Sequence, residues 1–373
     1  MNIVHHLERL AIFGVAALTA MGAVQAAEIK ISDGAVVNVG LRVQTWAQWT
    51  DHGAADGSDK IDFSARRLYL YFGGKVTPAL GYFAHVAGDR LGQEGVDTPS
   101  LGLGSGMALR DGWVSWTFAD GFKAQLGRMY VPFLRAYGTE STFTLLTMDV
   151  AQFQQGGMVP GRRVGRDDGI ALWGNFFGGK AQYRAAVMDR ADTSGRTGAV
   201  RVAGRFAWNF FDPESDWFNA GTYLTKKRVL SLGGGFDRLD NFIGGIDHRG
   251  WTLDGFLNLP VANGSALTVE CAVARIAQDH TRYTGNYYFA TAGVLLPWAW
   301  RSHRFQPFVR YEKFDLDRNV VSGTNDDHET AAGLNWYPLG PEHKAKVTFD
   351  WTSVKPRNAK AYNRATTQLQ ISY

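Results

Sequence analysis

The chain has 373 residues, a formal net charge of +4 and an aromatic content of 13%. Its only cysteine is Cys271, so no internal disulfide forms, and the chain has no Cys-x-x-Cys-His motif for covalent attachment of a c-type haem. The basic residues are scattered along the sequence, which argues against nucleic acid as a partner.

The chain begins with the features of an export signal. An apolar run from Leu10 to Val24 follows Arg9, and the small residues Ala26 and Ala27 come directly after it. We therefore predict a signal peptide over residues 1–26 and a single mature domain over residues 27–373. The run is too short for a membrane-spanning helix.

The rest of the chain predicts an all-β fold, because apolar and polar residues alternate with period two. Val37, Val39 and Leu41, for example, alternate with Asn38 and Arg42. We predict sixteen strands, at about residues 35–50, 61–75, 80–90, 107–118, 121–133, 167–177, 179–189, 200–211, 217–237, 248–258, 265–277, 286–297, 303–316, 328–338, 343–353 and 362–373. An even number of alternating strands indicates an antiparallel transmembrane β-barrel of the bacterial outer membrane, with lipid outside and a polar lumen inside.

The predicted connections alternate in length around the barrel. The short ones are 76–79, 119–120, 178, 212–216, 259–264, 298–302 and 339–342, and the longer ones are 51–60, 91–106, 134–166, 190–199, 238–247, 278–285, 317–327 and 354–361. Short turns on one rim and long loops on the other are typical of outer-membrane barrels. The strand from Arg364 to Tyr373 ends on an aromatic residue, like the signal for outer-membrane assembly, and its direction places the short turns in the periplasm.

The predicted strand pattern has irregularities, and its tryptophans cluster near strand ends. The alternation breaks at Arg66, which shares its face with Leu68, and segment 217–237 is long for one strand. Tryptophans near strand ends predict an aromatic girdle at the membrane interfaces. They are Trp46, Trp49, Trp113, Trp116, Trp298, Trp300, Trp336 and Trp351.

The longest connection, 134–166, is the best candidate for a functional segment. Because inward side chains do not fill a barrel this wide, a loop folded inward would narrow the pore. Arginines on that loop would attract anions and bind oxyanions bidentately. We predict four arginines at or near the constriction: Arg135, Arg162, Arg163 and Arg166. The alternative is a solvated loop whose arginines pair with lipopolysaccharide phosphates or with the acids Asp149, Asp167 and Asp168.

Four segments, in chain order, resemble the phosphate-selective porin O/P family. They are Phe63-Ser-Ala-Arg66-Arg67-Leu68-Tyr-Leu, Leu126-Gly127-Arg128-Met-Tyr-Val-Pro132-Phe133, Glu140-Ser141 and Asp168-Gly169-Ile-Ala-Leu-Trp-Gly174. The resemblance implies a sixteen-stranded, trimeric outer-membrane channel whose third extracellular loop enters the pore. It also implies phosphate, another oxyanion or a metalloid oxyanion as the solute.

Strand parity predicts a positively charged lumen. The basic residues on the polar face are Arg42, Arg67, Lys75, Lys123, Lys180, Arg184, Arg201, Arg205, Arg304, Arg310, Lys344, Lys346 and Arg364. The acidic residues on that face are Asp111, Asp254, Glu270, Glu312, Glu329 and Asp350. Such an excess of one sign concentrates anions in a narrow channel. We predict Arg42, Arg67, Arg184, Arg201, Arg205, Lys344 and Lys346 as pore-lining residues.

Together these patterns predict a porin that lets small anionic solutes diffuse passively, surrounded by outer-membrane lipid and lipopolysaccharide. No nucleophile elbow and no metal-ligand spacing of histidines occurs, so neither an enzyme nor a cofactor is expected. Two alternatives stay open. One is a non-selective diffusion pore whose charges form cross-strand pairs. The other is a barrel that sheathes a multihaem cytochrome partner as an electron conduit.

Overall fold

The computed structural model describes residues 27–32, 34–91, 107–136, 141–151, 165–189, 200–243, 246–278, 284–298, 300, 302–317, 328–356 and 360–373. The predicted signal peptide, residues 1–26, lies outside the described residues. Within these ranges no helix is long and apolar enough to cross a membrane.

Seventeen strands occur in the described part of the chain. They are β1 (Ala27–Ser32), β2 (Ala35–Thr50), β3 (Lys60–Lys75), β4 (Leu80–Leu91), β5 (Ala108–Ala119), β6 (Phe122–Tyr130), β7 (Arg166–Phe176), β8 (Ala181–Asp189), β9 (Val200–Asn209), β10 (Val229–Ile243), β11 (Ile246–Val261), β12 (Ser265–Gln278), β13 (Gly285–Leu295), β14 (Arg304–Leu316), β15 (His328–Tyr337), β16 (Ala345–Lys355) and β17 (Tyr362–Ser372). The sixteen predicted strands correspond to β2–β17, and β1 is an additional strand.

Strands β2–β17 form a closed antiparallel barrel, as predicted. Each strand pairs with the next in sequence, and β17 closes the ring on β2, with Gln370 opposite Gln44. The additional strand β1 pairs with the first residues of β2, Ala27 opposite Val39, beyond the point where β17 ends at Ser372. Closure leaves no barrel strand with an unpaired edge in lipid, which a membrane-spanning sheet requires.

The outer face of the barrel is apolar and the inner face is polar. In β9, Val202 and Phe206 are 42% and 52% exposed, whereas Arg201 and Arg205 on the other face are buried. The same alternation leaves Leu253 of β11 59% exposed. A band of exposed apolar side chains around a closed barrel is the surface that contacts membrane lipid.

Two of the predicted girdle tryptophans face the interior instead. The Nε1 of Trp46 donates a hydrogen bond to Oε1 of Gln368 at 2.8 Å, and the ring of Trp113 stacks on Phe83 with centroids 5.3 Å apart. Trp116, three residues after Trp113, is 48% exposed on the outer face. A position near a strand end therefore did not decide which face the ring occupies, whereas strand parity did.

Most connections are short on one rim of the barrel and longer on the other, with two exceptions: 210–228 on the short-turn rim is long, and 244–245 on the long-loop rim is short. The short-turn rim has the connections 76–79, 120–121, 177–180, 210–228, 262–264, 296–303 and 338–344, and the long-loop rim has 51–59, 92–107, 131–165, 190–199, 244–245, 279–284, 317–327 and 356–361. The predicted loop over residues 238–247 is wrong, because β10 and β11 continue to within two residues of each other.

The predicted strand over residues 217–237 is wrong in its first half. Strand β10 begins at Val229, and residues 210–228 form a connection that folds into the barrel from the short-turn rim; we call it the rim loop. Trp217 and Leu224 are 5% and 1% exposed, so their apolar side chains are buried inside the barrel and not in lipid. Leu224 has a φ of 54°, which lies outside the extended range of regular strand backbone.

The lipid-facing assignment predicts a depth-dependent cost for a buried charge. Replacing Leu253, at the middle of β11, by Arg should lower the free energy of unfolding by about 2–4 kcal/mol, because the guanidinium would lie near the bilayer midplane. Replacing Val261, at the rim end of the same strand, by Arg should cost about 0–1 kcal/mol. Urea unfolding in lipid vesicles measures both values, and equal costs would contradict the assignment.

Candidate solute passage

The connection between β6 and β7, the third on the long-loop rim, folds into the barrel. We call its described parts, residues 131–136 and 141–151, the inward loop. Four side chains of the inner wall donate hydrogen bonds of 2.7–3.3 Å to carbonyl oxygens of this loop: Gln44 to Thr142, Asn335 to Leu146, Lys346 to Leu145 and Gln370 to Phe143. These donors belong to β2 and β15–β17, so the chain crosses the barrel from its own strands to a distant part of the wall.

The first part of the inward loop lies against strands that have glycines at the contact. The carbonyl oxygen of Phe133 accepts a hydrogen bond from Oγ1 of Thr252 at 2.9 Å. A Cβ on Gly235 would come within 2.1 Å of that same oxygen, and a Cβ on Gly250 would come within 2.7 Å of the Phe133 ring. The backbone of the loop therefore approaches the wall more closely than any side chain would permit.

Asp149 fixes the far end of the inward loop to β3. Its carboxylate accepts hydrogen bonds from Nη2 of Arg66 at 2.7 Å and from Nη2 of Arg67, and all three side chains are buried. Two consecutive arginines reach the same side because the register of β2 and β3 shifts between Gln44 and Thr45, so that Arg66 has no partner on β2. This bulge is the reason for the break in alternation at Arg66. Burial alone would raise the pKa of Asp149, but the two guanidiniums outweigh it and hold that pKa below its usual range.

Arg135 joins the inward loop to the rim loop. Its guanidinium contacts Glu214 of the rim loop at 2.5 Å and Glu270 of β12 at 2.8 Å, and it lies 3.5 Å from the centroid of the Phe256 ring. The side chain has no exposed surface. Arg135 therefore holds the two loops together and does not face a solute.

The two loops also contact each other directly inside the barrel. The Ser141 N–H donates to the carbonyl oxygen of Asn219 at 2.9 Å, and the Gly221 N–H donates to Oγ1 of Thr144 at 3.2 Å. On the rim side, His343 bonds the carbonyl oxygen of Thr222 at 3.0 Å, and burial lowers the pKa of His343 to about 3. The imidazole is therefore neutral at physiological pH.

A cavity of about 790 Å³ lies beside the described parts of the two loops. It extends from the short-turn rim, at Lys344 and Gly74, to His85 in the middle of β4. The inward loop contributes Ser141, Thr142 and Thr144 to its wall, and the rim loop contributes Asp216, Phe218, Asn219, Ala220 and Tyr223. The rest of its wall comes largely from β2–β5. This cavity is the candidate passage for a solute.

Two of the predicted arginines line the cavity. Arg166 is buried and paired, with its Nε 2.8 Å from Oδ1 of Asp111, whose Oδ2 lies 2.8 Å from Nδ1 of His85. Arg42 contacts no carboxylate of the described residues within 4 Å. Its guanidinium carbon lies 4.4 Å from the ring centroid of Tyr71 and 4.8 Å from that of Phe143.

Most of the other predicted lining residues are buried in internal contacts. Arg201 pairs with Asp237 at 2.5 Å, Arg205 pairs with Asp254, Lys346 binds the inward loop, and Nη2 of Arg184 donates to the carbonyl oxygen of Asp216 at 3.0 Å. Lys344 is exposed at the short-turn rim, 3.4 Å from Glu342. Arg162 and Arg163 lie outside the described residues.

Sequence reasoning missed several residues that shape this interior. Asp237 was not placed on an inward face because it fell in the segment with the misassigned strand start. Asp149 points inward because its loop folds into the barrel. Strand parity makes no prediction for loop residues. A signal for the rim loop existed in Gly221 and in the excessive length of segment 217–237.

Two of the segments that carried the family resemblance contact each other, and a third binds the inward loop. Arg128 and Asp168 form an ion pair with Nε and Oδ1 2.7 Å apart, across the pairing of β6 and β7. Arg66 and Arg67 bind the inward loop through Asp149. The resembling segments therefore hold the loop and the strands that flank it.

A closed sixteen-stranded barrel with an apolar belt and an inward loop defines an outer-membrane β-barrel of the porin class, located in the bacterial outer membrane. The model for the family described as phosphate-selective porin O and P matches residues 37–214, which confirms the resemblance found in the sequence. An uncharacterized protein of Aquifex aeolicus is 25% identical in an alignment of length 293. The match covers 70% of this chain and 66%, just under two thirds, of that protein.

Solved porin structures share the fold at low sequence identity. The anion-selective porin from Comamonas acidovorans matches with a TM-score of 0.58 and 13% identity over 91% of this chain and 100% of that one. Salmonella typhi OmpF in complex with daunomycin matches with a TM-score of 0.62 and 12% sequence identity. The match covers 93% of this chain and 100% of that one. The trimer form of in-vitro folded OmpT from Vibrio cholerae matches with a TM-score of 0.56 and 10% sequence identity. The match covers 91% of this chain and 100% of that one.

Loss of the Asp149 carboxylate should release the inward loop. The Asp149→Ala variant leaves Arg66 and Arg67 buried without their carboxylate partner, so we expect the free energy of unfolding to fall by about 3–5 kcal/mol. The matched control is Asp317→Ala, whose pair with Arg275 is partly exposed and should cost at most about 1 kcal/mol. Urea unfolding measures both, and similar costs would contradict the anchoring role.

The same carboxylate should give a stability difference that depends on pH. The folded-state pKa of Asp149 is depressed, so its contribution is present above the unfolded-state pKa of about 3.9 and is lost as the pH falls through the folded-state pKa. The stability gap between the wild type and Asp149→Asn should therefore be constant at neutral pH and narrow only in acid. A gap that narrows near neutral pH would contradict this assignment.

Proposed function

We propose that the protein is a passive outer-membrane channel with a preference for anions. The observation that carries this proposal is Arg42, a guanidinium on the wall of the cavity that no carboxylate of the described residues neutralises. An unpaired cation in a narrow passage lowers the energy of an anion there and raises that of a cation. Solutes move down their gradient, and no covalent step is involved.

The arrangement of the two loops supports a restricted path for a solute. The inward loop and the rim loop are hydrogen-bonded to each other at Ser141 and Gly221 and bridged by Arg135, so together they close part of the barrel cross-section. We assign the solute path to the cavity between the described parts of these loops and the wall of β2–β5. We place the short-turn rim, where the cavity opens at Lys344, on the periplasmic side.

The comparisons support the anion preference and the assembly that we propose. The matched family is described as phosphate-selective, and one structural neighbour is described as anion-selective. A further neighbour is described in a trimer form, which supports a homotrimer as the assembly of this chain. Lipid and lipopolysaccharide would surround such a trimer.

The pairing of the inward arginines favours a second candidate, a non-selective diffusion pore. Arg67, Arg201 and Arg205 each bind a carboxylate, so the predicted excess of positive charge is largely neutralised. Selectivity would then depend on a few groups only. The cytochrome-sheath alternative gains no support, because two loops of the chain itself already occupy the interior.

Reversal potentials in a potassium chloride gradient across a planar bilayer separate the two candidates. We expect the wild type to prefer chloride, and we expect Arg42→Ala to lose most of that preference, because the unpaired cation is removed from the passage. Arg238→Ala is the matched control, since Arg238 is exposed on the outer face beside Asp240. Equal permeability of both ions in the wild type would favour the non-selective pore, and cation preference would reject the proposal.

The arginines of the predicted constriction call for a separate test. We propose that Arg162 and Arg163 form or approach the constriction, as the sequence pattern suggests, and raise the local anion concentration there. The double variant Arg162→Ala and Arg163→Ala should then show weaker chloride preference and a lower chloride conductance at low salt, where screening is weak. Unchanged selectivity at low salt would remove these two residues from the proposal.

A further inference from the structure

The cavity has an aromatic wall that a channel for small inorganic ions does not need. The Phe83 ring is 5.3 Å from the Trp113 ring, 5.9 Å from the Phe218 ring and 6.0 Å from the Tyr71 ring, all measured between centroids. All four residues line the cavity. Phe218 comes from the rim loop, so the inward fold of residues 210–228 adds the fourth ring to this wall.

Arg42 stands at the edge of this aromatic wall. Its guanidinium carbon is 4.4 Å from the Tyr71 centroid and 4.8 Å from the Phe143 centroid, so its planar group packs against two rings. Its N–H groups contact Oγ of Ser141 at 3.4 Å and the Tyr71 hydroxyl group. A guanidinium held by rings keeps a planar fork of donors, which suits the two oxygens of a carboxylate.

His85 extends this aromatic wall. Its ring lies 5.0 Å from the Tyr71 ring and 6.4 Å from the Phe83 ring, and its Nδ1 is bonded to Asp111. The cavity thus combines ring faces with a cation at its edge.

We infer that the cavity binds aromatic monocarboxylates in transit, with the carboxylate on Arg42 and the ring against Phe83 and Trp113. This inference rests on the proposed channel function and names its solute class. Inorganic phosphate fits less well, because a compact, strongly hydrated dianion would lose water against aromatic rings without compensation. The exposed Asp216 on the same wall also disfavours a second negative charge.

Block of the chloride current by added anions tests the inference on the full protein in a planar bilayer. The probes are benzoate, cyclohexanecarboxylate, which has the same charge but no π-face, and inorganic phosphate. We expect benzoate to reduce the current in a saturable way, at a half-blocking concentration about tenfold below that of cyclohexanecarboxylate, because only benzoate stacks on the rings. Phosphate should not saturate over the same range. Equal half-blocking concentrations for all three would overturn the inference.

Variants locate the effect and separate it from folding. Trp113→Leu keeps an apolar side chain but removes the ring, and it should raise the half-blocking concentration of benzoate about tenfold while leaving that of cyclohexanecarboxylate unchanged. Arg42→Gln should weaken block by both carboxylates. Trp116→Leu, on the outer face of the same strand, is the matched control and should behave as the wild type. Benzoate block that is insensitive to both Trp113 and Arg42 would overturn the site.

The same recordings distinguish a failure of this inference from a failure of the proposed function. Chloride preference in the potassium chloride gradient without selective benzoate block would reject only the aromatic carboxylate. Cation preference in that gradient would reject the anion channel and this inference with it.

Discussion

The width of a sixteen-stranded barrel is the constraint on which the interior depends. Inward side chains of strands on opposite sides do not meet across such a barrel, so its lumen must be filled by water or by additional chain. Here two connections enter from opposite rims, and their backbone groups must find hydrogen-bond partners on the wall. Gln44, Asn335, Lys346 and Gln370 supply these donors, and Gly235 and Gly250 leave room for the backbone. Many polar residues of the inner face therefore hold the two loops in place and do not contact a solute.

The ion pairs inside the barrel form because the two loops occupy the lumen and enclose charged side chains of the wall. A guanidinium enclosed between a loop and the wall loses much of its hydration, and a carboxylate partner offsets that loss. Asp149 forms ion pairs with Arg66 and Arg67, Glu214 with Arg135, and Asp237 with Arg201. The number of inward arginines is consequently a poor measure of the field in the passage. The field depends on which cation is left without a partner on an accessible wall, and on this reasoning Arg42 outweighs the more numerous buried arginines.

The strands were predictable because lipid on one side and polar groups on the other impose a strict period of two. That pattern gave β2–β17 within a few residues at most ends, and it placed Arg201 and Arg205 on the inner face. It failed where apolar side chains are buried by the chain itself. Trp217 and Leu224 are apolar like lipid-facing residues, yet they pack inside the barrel. Periodicity shows that a side chain is buried, but it does not show whether lipid or protein covers it.

The shape of the passage depends on both the inward loop and the rim loop, because the two loops contact each other. Ser141 and Thr144 of the inward loop are hydrogen-bonded to the backbone of the rim loop, and Arg135 bridges the loops through Glu214. A shift of either loop would therefore move the other, and it would also change the distance between Phe218 and the rings on β3–β5. Because Arg42 contacts Phe143 and Ser141 of the inward loop, the cation and the aromatic wall are set by the same packing. The position of the Arg42 charge and the shape of the aromatic wall therefore depend on each other through the contacts between the loops.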